Sequence, residues 1–181
     1  MPTAADLVDR DFHRDTPNKL WVTDITEHPT REGKVYCCVV LDVYSRRVVG
    51  WSIDSTRTAT LVTNALGMAI QNRAPEPGGL IHSDHGVQLG LNRRAQESGL
   101  VPSMGSIGDC FAGAVIESFW GRMQVELLNR QRWKTRIELA DAIFEYLGIF
   151  HNRQRRHSAL GMRTPIEYEL LYPQGGGVLG W

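Results

Sequence analysis

Two patterns of apolar spacing alternate along the chain, and the switches between them set the predicted element order. Leu20 to Thr26 (LWVTDIT) is β-branched and aromatic, which predicts a strand. Lys34 to Val43 (KVYCCVVLDV) predicts a second, whose continuous apolar centre implies burial on both faces. Tyr44-Ser45-Arg46-Arg47 turns into a third, Val48 to Ile53, and so short a gap favours antiparallel pairing. The spacing then becomes helical, from a cap at Thr58 or Ser55 to about Asn72, with Leu61, Val62, Ala65, Met68 and Ala69 on one face. Pro75-Glu76-Pro77-Gly78-Gly79 stops that helix. Leu80 to Ser83 reads as a short strand, Asn92 to Ser98 as a short helix and Gly99 to Ser103 as a fifth strand. Past Gly105–Gly108, about Phe111 to Asn129 predicts a helix striped by Ile116, Phe119, Trp120, Met123 and Leu127. Ile137 to His151 predicts another, ahead of the basic segment Asn152–His157. Hairpin strands feeding βα units predict an α/β domain: a mixed sheet flanked by helices. Residues 1–18 lack periodicity and read as an arm or linker, 19–151 as the core, and 152–181 as a basic segment and tail.

Composition narrows the class. A length of 181 residues suits one domain with a tail, and 42% apolar against 22% charged residues argues against wholesale disorder. Cys37, Cys38 and Cys110 make neither a disulfide framework nor a zinc site, so a reducing compartment is expected. The longest strongly apolar run, Tyr36 to Leu41, falls far short of the ~20 residues a membrane helix needs. Asp6, Asp9 and Asp11 stand where a signal peptide would be basic. The expectation is a soluble, cytoplasmic protein with no membrane partner. The formal net charge of zero hides a gradient: residues 1–117 hold 11 basic and 14 acidic side chains, residues 118–181 hold 9 and 6. A basic C-terminal third hints at a polyanionic partner, or is simply a solvated helical face.

Three carboxylates are oddly placed. Asp24 interrupts an apolar strand, Asp84 ends one within His82-Ser83-Asp84-His85-Gly86, and Glu117 lies beside the stripe of its helix with Gly121 and Gln124. Any one of them alone reads more simply as a surface or turn acid. A convergent Asp/Asp/Glu set, however, offers hard oxygen ligands suited to Mg²⁺ or Mn²⁺, and paired ions promote phosphoryl transfer. His82 and His85 flank Asp84 without completing a zinc site, and Cys37 and Cys38 read as small core residues. The chain has neither a G-x-S-x-G elbow nor a G-x-x-x-x-G-K-[ST] phosphate loop.

Trp21-Val22-Thr23-Asp24-Ile25-Thr26, His82-Ser83-Asp84-His85-Gly86-Val87-Gln88 and Ile116-Glu117-Ser118-Phe119-Trp120 resemble the three signature blocks of DDE insertion-sequence transposases. The likeness is to the type whose catalytic part comes from a second reading frame. His151-Asn152-Arg153-Gln154-Arg155-Arg156-His157-Ser158-Ala159-Leu160-Gly161 and Thr164-Pro165-Ile166-Glu167-Tyr168 resemble that family's closing block, so the resemblance spans about residues 6 to 172. It implies a ribonuclease-H-like, integrase-type core: three antiparallel strands then two parallel, with a helical C-terminal extension. It also implies metal-dependent cutting of transposon ends and joining of the freed 3′ hydroxyl to target DNA. Asp24, Asp84 and Glu117 would be the catalytic triad, holding two Mg²⁺ (or Mn²⁺) ions. The implied partners are DNA, further copies of the chain on DNA, and an upstream-frame helix-turn-helix protein, in a nucleoid-associated setting.

For Arg130, Arg132, Lys134, Arg136, Arg153, Arg155 and Arg156 the basic segment points to phosphate contacts, with solvated helix ends as the plain alternative. Many relatives carry a DNA-contacting Lys or Arg seven residues after the glutamate; here that position is Gln124, with Arg122 nearby. Trp133, between Arg132 and Lys134, either stacks on a base or is partly buried against the last helix. Other departures also stand out. Asp84 and Glu117 are separated by 32 residues where the family usually has 35. Ala112-Gly113 replace an Asp-Asn pair expected to cap the glutamate's helix. These departures raise an alternative, a catalytically impaired remnant that binds DNA or a partner transposase without chemistry. A structure-specific or RNA–DNA nuclease using the same acids fits the closing block less well.

Overall fold

The computed structural model describes residues 16–83, 91–103 and 109–171. Strands β1 (Leu20–Thr30), β2 (Gly33–Asp42) and β3 (Val48–Asp54) form an antiparallel meander. Helix α1 (Ala59–Arg73) carries the chain across to β4 (Leu80–His82), and α2 (Leu91–Glu97) leads to β5 (Val101–Ser103). The sheet order is β3-β2-β1-β4-β5, with β4 parallel to both β1 and β5. Three antiparallel strands followed by two parallel ones is the expected arrangement. Helix α3 (Asp109–Glu126), a 3-10 turn (Leu128–Arg130), α4 (Arg136–Glu145), a π-helix (Tyr146–Gln154), a second 3-10 turn (Ser158–Leu160) and α5 (Pro165–Leu170) follow.

The period-2 geometry of β2 explains its continuous apolar run, because successive side chains enter opposite layers. Val35, Cys37, Val39 and Leu41 join Phe119, Met123, Leu139, Ile143 and Leu147 under α3, α4 and the π-helix. Cys38 and Val40 join Trp21, Leu61, Ala65, Leu66 and Ala69 under α1, with Leu91 and Ala95 of α2. Both cysteines are buried core residues as expected, and burial pushes the Cys38 thiol up to about 12, removing it as a nucleophile.

Several boundaries differ from the pattern. β1 runs on to Thr30 because β2 pairs with it as far as Gly33, whose φ of +135° makes the turn. The expected helix over Ile137–His151 divides into an α and a wider π portion. Helix α3 starts at Asp109, so Ala112 and Gly113 lie inside it rather than capping it, and Ala112 is fully buried. Thr58 holds the position before α1, but its side chain makes no capping bond. Helix α5 has no apolar stripe to announce it. It starts because Thr164 accepts from the Glu167 amide at 3.1 Å and Pro165 occupies the first turn. No helix among the described residues is long and apolar enough to cross a membrane.

Two glycines give opposite predictions. A Cβ at Gly50 would lie 2.7 Å from the Ala69 amide nitrogen and closer still to the Ala65 carbonyl oxygen, so β3 and α1 meet backbone to backbone. Gly50→Ala is expected to cost ~1–3 kcal/mol or more, since neither neighbour is a flexible side chain. A Cβ at Gly113 meets nothing within 4 Å, so Gly113→Ala should gain about 1 kcal/mol of helix propensity. Urea midpoints of the two variants should move in opposite directions from wild type.

Candidate functional site

Strand lengths place the candidate site on β1 beyond the described end of β4. β1 has 11 residues, but parallel pairing to β4 uses only Leu20, Trp21 and Val22, opposite Leu80, Ile81 and His82. Beyond Val22, that edge of β1 continues past the described end of β4. In parallel sheets, ligands gather outside such carboxyl ends. Alternation sends Leu20 and Val22 into the layer beneath α3, and Asp24 has the same parity. Asp24 therefore faces α3, where Trp120 Nε1 donates to its Oδ2 at 3.0 Å. Glu117 lies three residues before Trp120 on that helix, hence on a neighbouring face, and is exposed. Two of the three expected acids thus belong to elements joined by one hydrogen bond. Asp84 and His85 lie outside the described residues. His82 is buried at the end of β4.

The pair of carboxylates offers hard oxygen donors, the chemistry of a Mg²⁺ or Mn²⁺ site. Among the described residues no three His, Cys, Asp or Glu side chains gather closely enough to hold a metal ion. Any such site therefore needs a donor from outside them.

The position of α3 is set from behind. His151, fully buried, packs edge-on against Phe119 at 4.9 Å and donates from Nε2 to the Arg46 carbonyl at 2.7 Å. Asn152 accepts from the Val48 amide at 2.9 Å and donates to the Val48 carbonyl at 2.9 Å, pairing the outer edge of β3. Farther on, Glu169 meets Arg73 at 2.6 Å and Arg47 at 2.8 Å, and Arg73 reaches the buried Asp42 at 3.3 Å. Residues expected as a basic segment and tail thus include groups bonded into the sheet.

The expected DNA-contacting residues separate into groups. Arg130, Arg132 and Lys134 are exposed after α3. Arg136 is occupied at the β1–β2 turn, with its backbone amide donating to Glu32 and its Nε to the Lys34 carbonyl. Gln124 donates to Asn129 at 2.6 Å. Arg153 is exposed beside a separate cleft with Arg47. Arg122, Arg155 and Arg156 line a cavity of about 520 Å³ against α3, together with Arg46. Trp133 is buried and donates from Nε1 to the Leu128 carbonyl at 3.0 Å, so it is not available to stack on a base. The residues that sequence reasoning missed are Trp120 as a hydrogen-bond donor, Arg46 and Asn152. Trp120 alone carried a signal, being an indole one turn from an acid.

Residues 14–110 match the model of a family described as an integrase core domain, and residues 117–170 match a second model of the same description. The uncharacterized 31 kDa protein of insertion element IS600 from Shigella sonnei is 38% identical over 177 residues, covering 96% of this chain and 65% of that protein. The transposase for insertion sequence element IS904 from Lactococcus lactis is 35% identical over 166 residues, 90% of this chain and 66% of its own. The transposase InsF for insertion sequence IS3A from Escherichia coli is 34% identical over 172 residues, 93% and 60% respectively. The chain thus spans just under two thirds of the length of these relatives. Among solved structures, the catalytic core of BIV integrase aligns with a TM-score of 0.59 at 21% identity, over 84% of this chain and 94% of that one. The HTLV-2 integrase catalytic core in complex with magnesium aligns at 0.54 and 16% identity, over 85% and 96%. The fold of these cores is the ribonuclease-H-like one expected from the sequence.

Two buried histidines give the molecule a pH dependence. Burial and the charges around them lower His151 to about 3 and His157 to about 4, against an ordinary 6.5. Both are neutral in the folded chain above those values, whereas the unfolded chain takes up protons below about 6.5. Stability should therefore be level above pH 7 and fall as pH drops from about 6.5 toward 4. Urea titrations across that range check this, and the slope should flatten in His151→Gln.

Proposed function

The chain belongs to the integrase core domain family and is a transposase/integrase catalytic domain of the DDE kind; on that premise we propose that it cuts insertion-sequence ends and joins them to target DNA. The observation that carries the reading is the Trp120–Asp24 hydrogen bond, which ties the helix bearing Glu117 to the strand bearing Asp24 beyond the described end of β4. Asp84 follows His82 by two positions in sequence and supplies the third carboxylate. The three together would hold two Mg²⁺ or Mn²⁺ ions, which when bound supply charge neutralisation at the scissile phosphate and an activated attacking oxygen.

This chain's own residues do the rest. The Trp120 indole fixes the orientation of the Asp24 carboxylate, as outer hydrogen bonds do for metal ligands generally. Arg122, Gln124, Arg130, Arg132, Lys134, Arg136, Arg153, Arg155 and Arg156 hold DNA phosphates, Arg136 and Gln124 only after leaving their present partners. The partners are transposon-end and target DNA, further copies of this chain on that DNA, and an upstream-frame helix-turn-helix protein, in a cytoplasmic, nucleoid-associated setting. The residues whose replacement prompted the impaired-remnant alternative, Ala112 and Gly113, lie within an unbroken helix and do not favour it.

A strand-transfer assay with the element's own terminal DNA and Mg²⁺ tests the reading. Asp24→Asn, Asp84→Asn and Glu117→Gln should each fall to background while still binding DNA. Equal activity in wild type and these variants would sink it. Trp120→Phe keeps an aromatic side chain but loses the indole N–H together with part of the ring, so strand transfer should drop ~10–100-fold while circular dichroism shows the fold retained.

A further inference from the structure

The cavity behind Glu117 concentrates more positive charge than its neighbours compensate. Arg46, Arg122, Arg155 and Arg156 line it, and among the described residues no carboxylate does. Glu126 pairs with Arg155 at 2.6 Å and also accepts from the Tyr146 hydroxyl. Among the described residues, the other hydrogen bonds of these guanidinium groups go to neutral acceptors. Arg46 donates to the Val43 carbonyl at 2.8 Å, Arg122 to Ser118 Oγ at 2.7 Å and Arg156 to the Met162 carbonyl at 3.2 Å. Arg122 Nε is buried without a partner among the described residues. Burial foremost, with repulsion from Arg122 on Arg46 and from Arg155 on Arg122, lowers both guanidinium groups from their ordinary values although the charges of Asp42 and Glu126 partly offset it.

Backbone strain points the same way. Arg46 adopts φ 62°, the left-handed region that costs an L-residue roughly 1–2 kcal/mol and that glycine enters freely. A strained residue that folding alone would replace with glycine instead directs a guanidinium over Phe111, 5.7 Å from its ring centroid. Val115, Ala159 and Met162 add apolar surface to the lining. At about 520 Å³ the cavity is far roomier than a lone anion needs and lies within the usual range of small-ligand sites. A phosphate joined to an apolar, flat group suits both the cationic and the apolar lining.

We propose that this cavity seats one unpaired nucleotide of a DNA strand, its phosphate on Arg46, Arg122 and Arg156 and its sugar and base against Phe111 and Met162. The inference rests on the transposase reading and extends it. Ser118 and Arg122 follow Glu117 by one and five positions on α3, so the seat lies on the helix face beside the catalytic one. A strand held there is anchored next to the candidate site without entering it.

Fluorescence anisotropy with the full chain tests this, using a blunt duplex and the same duplex with a single-stranded overhang across a salt series. Wild type should prefer the overhang about tenfold. Arg46→Gly should abolish that preference and reduce the salt slope by about one, as loss of one phosphate contact does. Its thermal midpoint should equal or exceed wild type, because the strain is relieved. Arg156→Gln and Met162→Ala, both at exposed positions, should each weaken the preference too. Overhang preference and salt slope unchanged in Arg46→Gly would overturn the inference; strand transfer persisting in wild type would leave the transposase reading standing. Deoxyadenosine monophosphate or inorganic phosphate protecting wild type from heat, with overhang binding unaltered in Arg46→Gly, would assign the cavity to a free phosphate and equally overturn it.

Discussion

A buried carboxylate must be compensated, and Asp42 imposes that requirement on half the molecule. It ends β2 with no exposed surface, and burial pushes its carboxyl up to about 6 despite its partners. The Asn18 amide, the Tyr44 amide and Arg73 satisfy it. Arg73 in turn binds Glu169 of α5, which also takes Arg47 and Ser45. Burial would raise Glu169, but the hydrogen bonds and charge of Arg73 hold it below its usual range. Four separate stretches of chain thus converge on one dry cluster. Removing a single partner from such a cluster strands a charge, which is far more costly than never having had the pair.

That clasp secures the return of the chain, and the return positions the site. Between Arg136 and Leu170 the chain packs across the sheet, with His151 on Phe119 and Asn152 on the β3 edge. Phe119 and Met123 are fully buried, so α3 cannot roll, and Trp120 is presented to Asp24 as a consequence. The closing block therefore does two jobs. Its His151 braces the helix that carries Glu117 and its Asn152 holds the β3 edge, while Arg155 and Arg156 line the cavity against that helix. The pH sensitivity of His151 belongs to the bracing rather than to the chemistry.

Much of this was legible along the chain. The period-2 run of β2 and the stripe on α3 predicted both core layers, because burial on a regular element leaves a regular trace. The motif blocks around Asp24, Asp84 and Glu117 pointed to a family that the comparisons then established. The start of α5 leaves no apolar period; it rests on the Thr164 cap and Pro165 instead. Ala112 and Gly113 were expected at a helix end because their relatives' residue types are good caps; the helix begins earlier and the cap argument does not apply. The basic residues form one set along the sequence, which gives charge but not direction.

The sequence by itself determined the order of strands and helices along the chain and the two-sided burial of β2, since these depend on local periodicity. Tertiary structure alone decided which side chains share a site. It joined Trp120 to Asp24 across 96 positions, Asn152 to Val48 across 104 and Ser45 to Glu169 across 124. It also divided the basic residues, sending Arg136 to a turn and Arg122 to a cavity with Arg46. Contacts at such separations depend on how the layers stack and on which buried polar groups find partners, and neither leaves a periodic mark on the chain.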